Sequence, residues 1–303
     1  MLAQRISSIN SVSAICERTG ADVDQVSRAI GLDSRIGSQF LKAGLGFGGS
    51  CFRKDIASLT YLAESLGLDD VAHYWRQVNV MNEMQRDRFA RRVITRFEGN
   101  LVEKKLTLLG FAFKKNTGDP RESLAVDVIR LLLEEHPEEI AVFDPFCREE
   151  DILREVGNVC GETAGAPVKV YGDPYLACSQ ANAVLVLTDC DQFRNHAPTR
   201  RVSSKTSIPD ADASCQSTLS GQDVCIANGR TYYLPPQDTC PLDCTDCRAA
   251  STRPMTLAPE PLEWARIAYN MKEPKRVFDG RGILEMREME RLGLRVDAVG
   301  RRC

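Results

Sequence analysis

The sequence predicts an α/β protein in two parts, an all-helical block followed by a doubly wound, mainly parallel sheet, and three observations carry that reading. Residues 2–97 keep helical spacing of apolar positions and are interrupted by glycines where helices end. From Lys104 onward, short apolar runs rich in β-formers alternate with helical stretches, which is the pattern of a sheet covered on both faces. With 303 residues and 43% hydrophobic composition, the chain is long enough to bury a sizeable core in each part.

In the helical part, Leu2, Ile6, Ile9, Ala14 and Ile15 recur on one face until Gly20, and Val23, Val26 and Ile30 do so until Gly31. Two more helices are predicted, from about Cys51 to Leu66 before Gly67 and from about Val71 to Phe97 before Gly99. The second part is predicted to run strand Leu106 to Phe111, helix Ser123 to Glu135, strand Ile140 to Phe143, helix Glu149 to Val156 and strand Val168 to Tyr171. It continues with a short helix Asp173 to Cys178, a strand Ala183 to Leu187, a strand Arg276 to Phe278, a helix Ile283 to Leu292 and a strand Leu294 to Val299. The implied division is residues 1–99 and 100–303, with an interruption at 197–261 where Ser, Thr, Pro, Asp and Cys dominate and periodicity is lost. A structureless stretch of that length is foreign to a compact domain, so it is expected to be an insertion without a stable core.

Thirty-nine basic against 42 acidic residues leave a formal charge of −3, which lacks the footprint of a nucleic-acid binder. No apolar run reaches the length of a membrane span and the N-terminus lacks the pattern of a signal peptide, so no membrane partner and a cytoplasmic location are expected. Of the twelve cysteines, Cys215, Cys225, Cys240, Cys244 and Cys247 crowd into the insertion. Their spacing is compatible with a thiolate zinc site, but one C-x₂-C lacks the second pair that such a site requires, so no metal is expected.

The strongest chemical signal is Phe40-Leu41-Lys42-Ala43-Gly44-Leu45-Gly46-Phe47-Gly48-Gly49-Ser50-Cys51-Phe52-Arg53-Lys54-Asp55. Gly44, Gly46 and Gly49 satisfy G-x-G-x-x-G, yet no apolar strand precedes them, so a dinucleotide turn is not implied. Close backbone approach to a ligand is the expected use of these glycines. Cys51 then falls on the first turn of a helix, whose positive end favours the nucleophilic thiolate, with Asp55 one turn later on the same face. The same spacing describes a structural cysteine beside an N-terminal helix acid. Two further signals follow predicted strands: Gly110-Phe111-Ala112-Phe113-Lys114-Lys115-Asn116-Thr117-Gly118-Asp119-Pro120-Arg121-Glu122-Ser123, whose cations suit a diphosphate, and Phe278-Asp279-Gly280-Arg281. A solvated basic loop and an ordinary β-turn are the plainer readings of these two.

Together these strings, in this order and with the opening Leu2-Ala3-Gln4-Arg5-Ile6-Ser7-Ser8-Ile9-Asn10-Ser11, closely resemble the UDP-glucose/GDP-mannose dehydrogenase family. The likeness runs over residues 2–196 and resumes around 262–299. It implies a Rossmann-like second part, and a four-electron oxidation of UDP-glucose to UDP-glucuronate with two NAD⁺ as cofactor. By residue matching it implies that Cys51 is the nucleophile that passes through a thiohemiacetal and a thioester, and that Asp55 is associated with the hydrolytic water. It further implies that Phe40, Lys42 and Gly48 line the UDP-sugar site and that Phe113, Lys114 and Arg281 contact the UDP-sugar. Arg121 would approach NAD, Arg35 would reach the sugar acid of a neighbouring subunit, and the helical block would form a homo-oligomer. The family's N-terminal NAD-binding domain and its active-site lysine and asparagine have no counterpart in this sequence. The chain is therefore expected to be inactive alone, with a non-catalytic UDP-sugar-binding or oligomerisation fragment as the alternative.

Overall fold

The computed structural model describes residues 1–161, 167–195 and 260–301, together with the backbone of 224–227 and 230–233. Helix α1 (Leu2–Thr19) stops at Gly20, whose φ of 82° turns the chain while its N–H still donates to the Cys16 carbonyl at 2.8 Å. Helix α2 (Val23–Gly31) begins at Asp22, whose carboxylate accepts from the Asp24 N–H. Helices α3 (Ser50–Ser65) and α4 (Asp69–Arg96) are joined by a three-residue turn, and Asp69 and Asp70 place negative charge at the positive end of α4. Both α3 and α1 pack on α4. No helix among the described residues is long and apolar enough to cross a membrane.

The second part is a six-stranded sheet built from β1 (Lys105–Leu109), β2 (Glu139–Phe143), β3 (Val168–Val170), β4 (Ala183–Val186), β7 (Arg276–Asp279) and β8 (Arg295–Ala298). Its order is β3-β2-β1-β4-β7-β8 and every pairing is parallel. Strand succession runs outward in both directions from the β1/β4 boundary, which opens a crevice at the carboxyl ends of those strands. The linking helices are α5 (Leu124–Leu133), α6 (Glu149–Cys160), α7 (Pro174–Cys178), α8 (Trp264–Asn270) and α9 (Met286–Arg291).

Alternation along the strands sends Leu106, Leu108, Ile140, Val142, Leu185 and Phe278 to one face, where they join Val128 and Ile129 of α5. The same core contains Ile9, Cys16, Val23, Leu45, Phe89 and Val93 of the helical part, and Phe89 meets Phe278 edge to face with ring centroids 6.4 Å apart. The helical block and the sheet thus share one apolar core, which holds the loops of one against those of the other. The opposite face carries Leu109, Val184, Val186 and Val277 under α7, α8 and α9.

The structure differs from the sequence expectation at three places. The last helix begins at Met286 rather than Ile283, because the Asp279 carboxylate captures the N–H groups of Ile283 and Leu284 into a turn. Helix α8 forms where no element was expected, anchored by the Trp264 indole donating to the Phe193 carbonyl at 2.9 Å. Within the insertion, β5 (Val224–Ala227) and β6 (Arg230–Tyr233) pair as an antiparallel ribbon. The rest of the 197–261 reading, and the side chains of its five cysteines, lie outside the described residues.

Candidate functional site

Two buried aspartates shape the carboxyl edge of the sheet. After β2, Asp144 accepts from the N–H groups of Phe111 and Ala112 with one oxygen and from those of Phe146 and Cys147 with the other, at 2.7–2.9 Å. At the end of β7, Asp279 accepts from Arg281, Gly282, Ile283 and Leu284 at 2.8–2.9 Å. Each carboxylate therefore folds a loop by meeting backbone donors that would otherwise be buried without partners. The Thr188 hydroxyl adds a bond from the β4 loop to the Ala112 carbonyl at 2.7 Å.

Against this edge lies the glycine-rich segment 44–49, fixed by carboxamides from two helices. Asn10 of α1 accepts the Gly44 N–H at 2.9 Å, while Gln85 of α4 donates to the Gly44 carbonyl at 2.7 Å. Asn82 grips Phe47 at both ends of its peptide unit, accepting its N–H at 2.8 Å and donating to its carbonyl at 2.9 Å. The sheet supplies the other side: Leu45 donates to the Gly280 carbonyl at 2.7 Å and Gly49 to the Glu122 carbonyl at 3.0 Å.

These glycines also serve close protein contacts, beside the backbone approach to a ligand expected of them. A Cβ on Gly46, which has φ 123°, would sit 2.5 Å from the Asn82 Oδ1, and one on Gly48 would sit 2.8 Å from the Glu122 carbonyl oxygen and 3.0 Å from the Phe113 Cβ. Only a residue without a side chain lets two backbones and the Phe113 ring meet here.

This clamped segment delivers Gly49 as the N-cap of α3, and Cys51 follows, half-buried, on the first helical turn. Asp55 is exposed one turn further along the same helix. Phe113 packs on Gly48 and Gly49, and the Lys114 ammonium stands 5.3 Å from the Phe113 ring centroid. On the other flank, the Lys42 ammonium pairs with Asp189 at 3.2 Å, and Arg194 holds the second Asp189 oxygen at 2.6 Å. Burial works to raise the Asp189 carboxyl, but Lys42 and Arg194 outweigh it and hold it below the ordinary carboxylate range. Arg281 donates to the Leu187 carbonyl at 2.6 Å and to the Gly46 carbonyl at 2.9 Å, stitching the glycine segment to β4, and burial lowers its guanidinium pKa.

Phe40 carries φ 58°, a left-handed conformation that costs a bulky residue about 1–3 kcal/mol and is maintained where the surroundings demand it. Phe113, with Lys114 beside it, thus stands at the Gly48–Gly49 end of the glycine segment that leads into Cys51, Arg281 stands at Gly44 and Gly46, and Lys42 lies near Gly282. Arg35 and Arg121 stand apart. Arg35 is 87% exposed and paired with Asp33 at 2.6 Å, and Arg121 pairs with Asp119 at 2.9 Å.

Sequence reasoning missed Asn10, Asn82, Gln85, Asp144 and Asp189. The first three had a readable signal: Asn10 lies on the buried face of α1 with Ile9, Ser13 and Cys16, and Asn82 and Gln85 lie on the buried stripe of α4 with Val78, Phe89 and Val93, where a carboxamide must find a buried partner. Asp144 and Asp189 each follow a strand by one or a few residues, a position that sequence alone gives equally to turn-formers and to ligand contacts.

The chain is similar to known proteins over most of its length. The sequence profile of the UDP-glucose/GDP-mannose dehydrogenase family, central domain, matches residues 1–84, and that of the family's UDP binding domain matches 107–213. UDP-glucose 6-dehydrogenase of Caenorhabditis elegans is 50% identical over 193 residues, which is 63% of this chain and 40% of the relative. The Drosophila melanogaster enzyme is 36% identical over 305 residues, covering 99% of this chain and 50% of its own length. The chain therefore spans about half, or less, of the curated relatives it matches. Among solved structures, a UDP-glucose dehydrogenase from Pyrobaculum islandicum shares 37% identity with a TM-score of 0.53 over 62% of this chain and 40% of that one. An NDP-N-acetyl-D-galactosaminuronic acid dehydrogenase from Methanosarcina mazei, at 18% identity and TM-score 0.60, covers 99% of this chain and 48% of its own and shares the fold. With both profiles falling in order on the helical block and the sheet whose loops meet at the glycine segment, the chain belongs to the UDP-glucose/GDP-mannose dehydrogenase family.

Proposed function

We propose that this chain carries the UDP-sugar-binding and thiol-bearing portion of a UDP-glucose 6-dehydrogenase, in which Lys42, Phe113, Lys114 and Arg281 receive the nucleotide sugar and Cys51 attacks it. The observation that carries this reading is the glycine segment itself, hydrogen-bonded to helices α1 and α4 on one side and to the sheet on the other, and leading directly into the helical turn that bears Cys51. Lys42 is exposed enough to exchange Asp189 for an anionic oxygen, and an ammonium on a diphosphate gains charge-assisted hydrogen bonds. Arg281 acts mainly through the backbone, keeping the Gly46 carbonyl and the β4 loop in register.

In this reading the Cys51 thiol adds to the aldehyde carbon at the sugar's C6 as a thiohemiacetal, the hydride lost as that adduct becomes a thioester would pass to NAD⁺ held elsewhere in the enzyme, and Asp55 orients the water that hydrolyses the thioester to the acid and the free thiol. Dehydrogenases of this family use NAD, and the described residues do not form a cradle for it. After Gly110 the turn that follows β1 has Ala112 and Lys115 where a dinucleotide turn needs its second and third glycines, and both oxygens of Asp144, at the strand end where such folds hold a ribose, are occupied by four backbone N–H groups. We therefore assign binding and nucleophile presentation to this chain and derive no hydride step from it; Arg121 remains the residue assigned to approach NAD.

Self-association through the helical part is supported by Tyr61, Leu62, Leu66 and Tyr74, which leave an apolar face of α3, its C-cap and α4 in solvent, and by the exposure of Arg35. Calorimetry with UDP-glucose tests the assignment. Lys42→Gln is expected to weaken binding about tenfold, as the loss of a charge-assisted contact requires, while Cys51→Ser changes it little. Absence of binding by the parent chain, or equal loss in the two variants, rejects the assignment.

A further inference from the structure

Between α1 and α4, away from the glycine segment, runs a groove of about 900 Å³ lined by Ala14, Ile15, Glu17, Thr95 and five arginines. That volume lies within the range of small-molecule sites. The arginines are Arg18 of α1 and Arg88, Arg91, Arg92 and Arg96 of α4, the last four spaced so that they share one helical face. Glu17 is the only acidic residue among those lining it, and it is fully engaged. Its Oε2 accepts from both Arg88 and Arg92, and its Oε1 accepts the Gly300 N–H at 2.8 Å.

Two ordinary structural roles leave part of this charge unexplained. The negative ends of α1 and α4 favour cations in their last turns, which covers Arg18 and Arg96, but Arg88, Arg91 and Arg92 lie further back. Ion pairing covers Arg88 and Arg92, through one shared carboxylate, and Arg96, through Asp297 at 2.7 Å. Arg18 and Arg91 are exposed, and their guanidinium groups make no hydrogen bond or ion pair with the described residues. Burial first, and the neighbouring Arg92 charge after it, hold Arg88 below the ordinary guanidinium pKa despite Glu17.

We propose that this groove is a binding site for a polyphosphate, distinct from the UDP-sugar site. Planar guanidinium forks engage phosphate oxygens two at a time, and five of them lining one groove, with only Glu17 and Asp297 paired to three of them, call for a ligand with several negative charges in a compact space. The overall charge of −3 argues against a nucleic acid as that ligand. Ala14, Ile15 and the arginine stems give the groove an apolar floor on which the base of a nucleoside polyphosphate rests.

The test is calorimetric titration of the full chain with inorganic tripolyphosphate and with ATP, at near-physiological salt and with saturating UDP to occupy the sugar-nucleotide site. Saturable binding that weakens about tenfold in the double variant Arg18→Gln/Arg91→Gln is the expected result. Both side chains are exposed, so the melting temperature should be unchanged, and either single variant serves if the pair fails to fold. Tighter binding of ATP identifies a nucleoside polyphosphate, and equal binding identifies the phosphate chain alone as the source; both support the site. No saturable binding in the presence of UDP, or affinity untouched in these variants, overturns it.

Discussion

Asn82→Ala removes the side chain that holds Phe47 at both its N–H and its carbonyl. Phe47 is 7% exposed and Asn82 equally buried, so neither peptide group has bulk water to turn to. An unsatisfied buried donor or acceptor costs about 1–3 kcal/mol. Two of them, partly relieved if a water enters the space left by the amide, give a loss of roughly 2–5 kcal/mol. The local consequence should exceed the global one, because Phe47 lies four residues before Cys51 and the segment between them has only the Glu122 carbonyl as a further backbone anchor. Urea unfolding of the variant should show the stability loss, and alkylation of Cys51 followed by mass spectrometry should show an altered rate while buried Cys16 stays slow. Asn82→Asp keeps the acceptor for the Phe47 N–H and loses only the donor, so it should fall between parent and alanine. A change below about 0.5 kcal/mol in Asn82→Ala, with Cys51 labelling unaltered, would refute the view that this carboxamide sets the segment.

Gly48→Ala places a methyl 2.8 Å from a backbone carbonyl, so it should destabilise by about 1–3 kcal/mol and weaken UDP-glucose binding in the same variant; a neutral result on both counts argues against the close packing. Arg281→Lys should cost stability as well as affinity, since one ammonium cannot bridge the Leu187 and Gly46 carbonyls as the guanidinium does; unchanged denaturation midpoints would contradict that bridging role. At the start of β2, burial works to raise the Glu139 carboxyl, but Lys169, Tyr171 and Lys105 together hold it at about 2. Its folded pKa is depressed, so its stabilisation is complete above about pH 4.5 and is lost as pH falls through 2. The stability gap between parent and Glu139→Gln should therefore close on acidification, and a gap that widens would reverse the sign of the interaction.

Periodicity made the two-part plan legible, because both parts bury one face of each element and the period of that face differs between helix and strand. The alternation of short strands with helices sufficed for a parallel sheet, and glycines such as Gly20 marked helix ends that the structure keeps. Less legible was anything decided by contacts distant in sequence. The stop that Asp279 imposes on the following turn depends on a carboxylate buried in the crevice, and the use of Gly46 and Gly48 depends on Asn82 and Glu122, 36 and 74 residues further along. Arg281 illustrates the same limit: an arginine after a strand reads as an anion ligand, and the two distant backbone carbonyls that orient it are not readable from its own neighbourhood. Cys51 and Asp55 were visible because their relation is local, one turn of one helix.

Selective protection of Cys51 by ligand tests the central claim most directly, since it asks whether the thiol and the nucleotide-sugar contacts form one site. The chain is alkylated under mild conditions near neutral pH, with and without UDP-glucose, and labelling at Cys51 and Cys16 is quantified by peptide mass spectrometry. Cys51 should react far faster than the buried Cys16 and should be shielded by UDP-glucose, with Lys42→Gln shifting the protecting concentration upward about tenfold. Equal labelling of the two cysteines, or a Cys51 rate indifferent to UDP-glucose at saturating concentration, would contradict the claim.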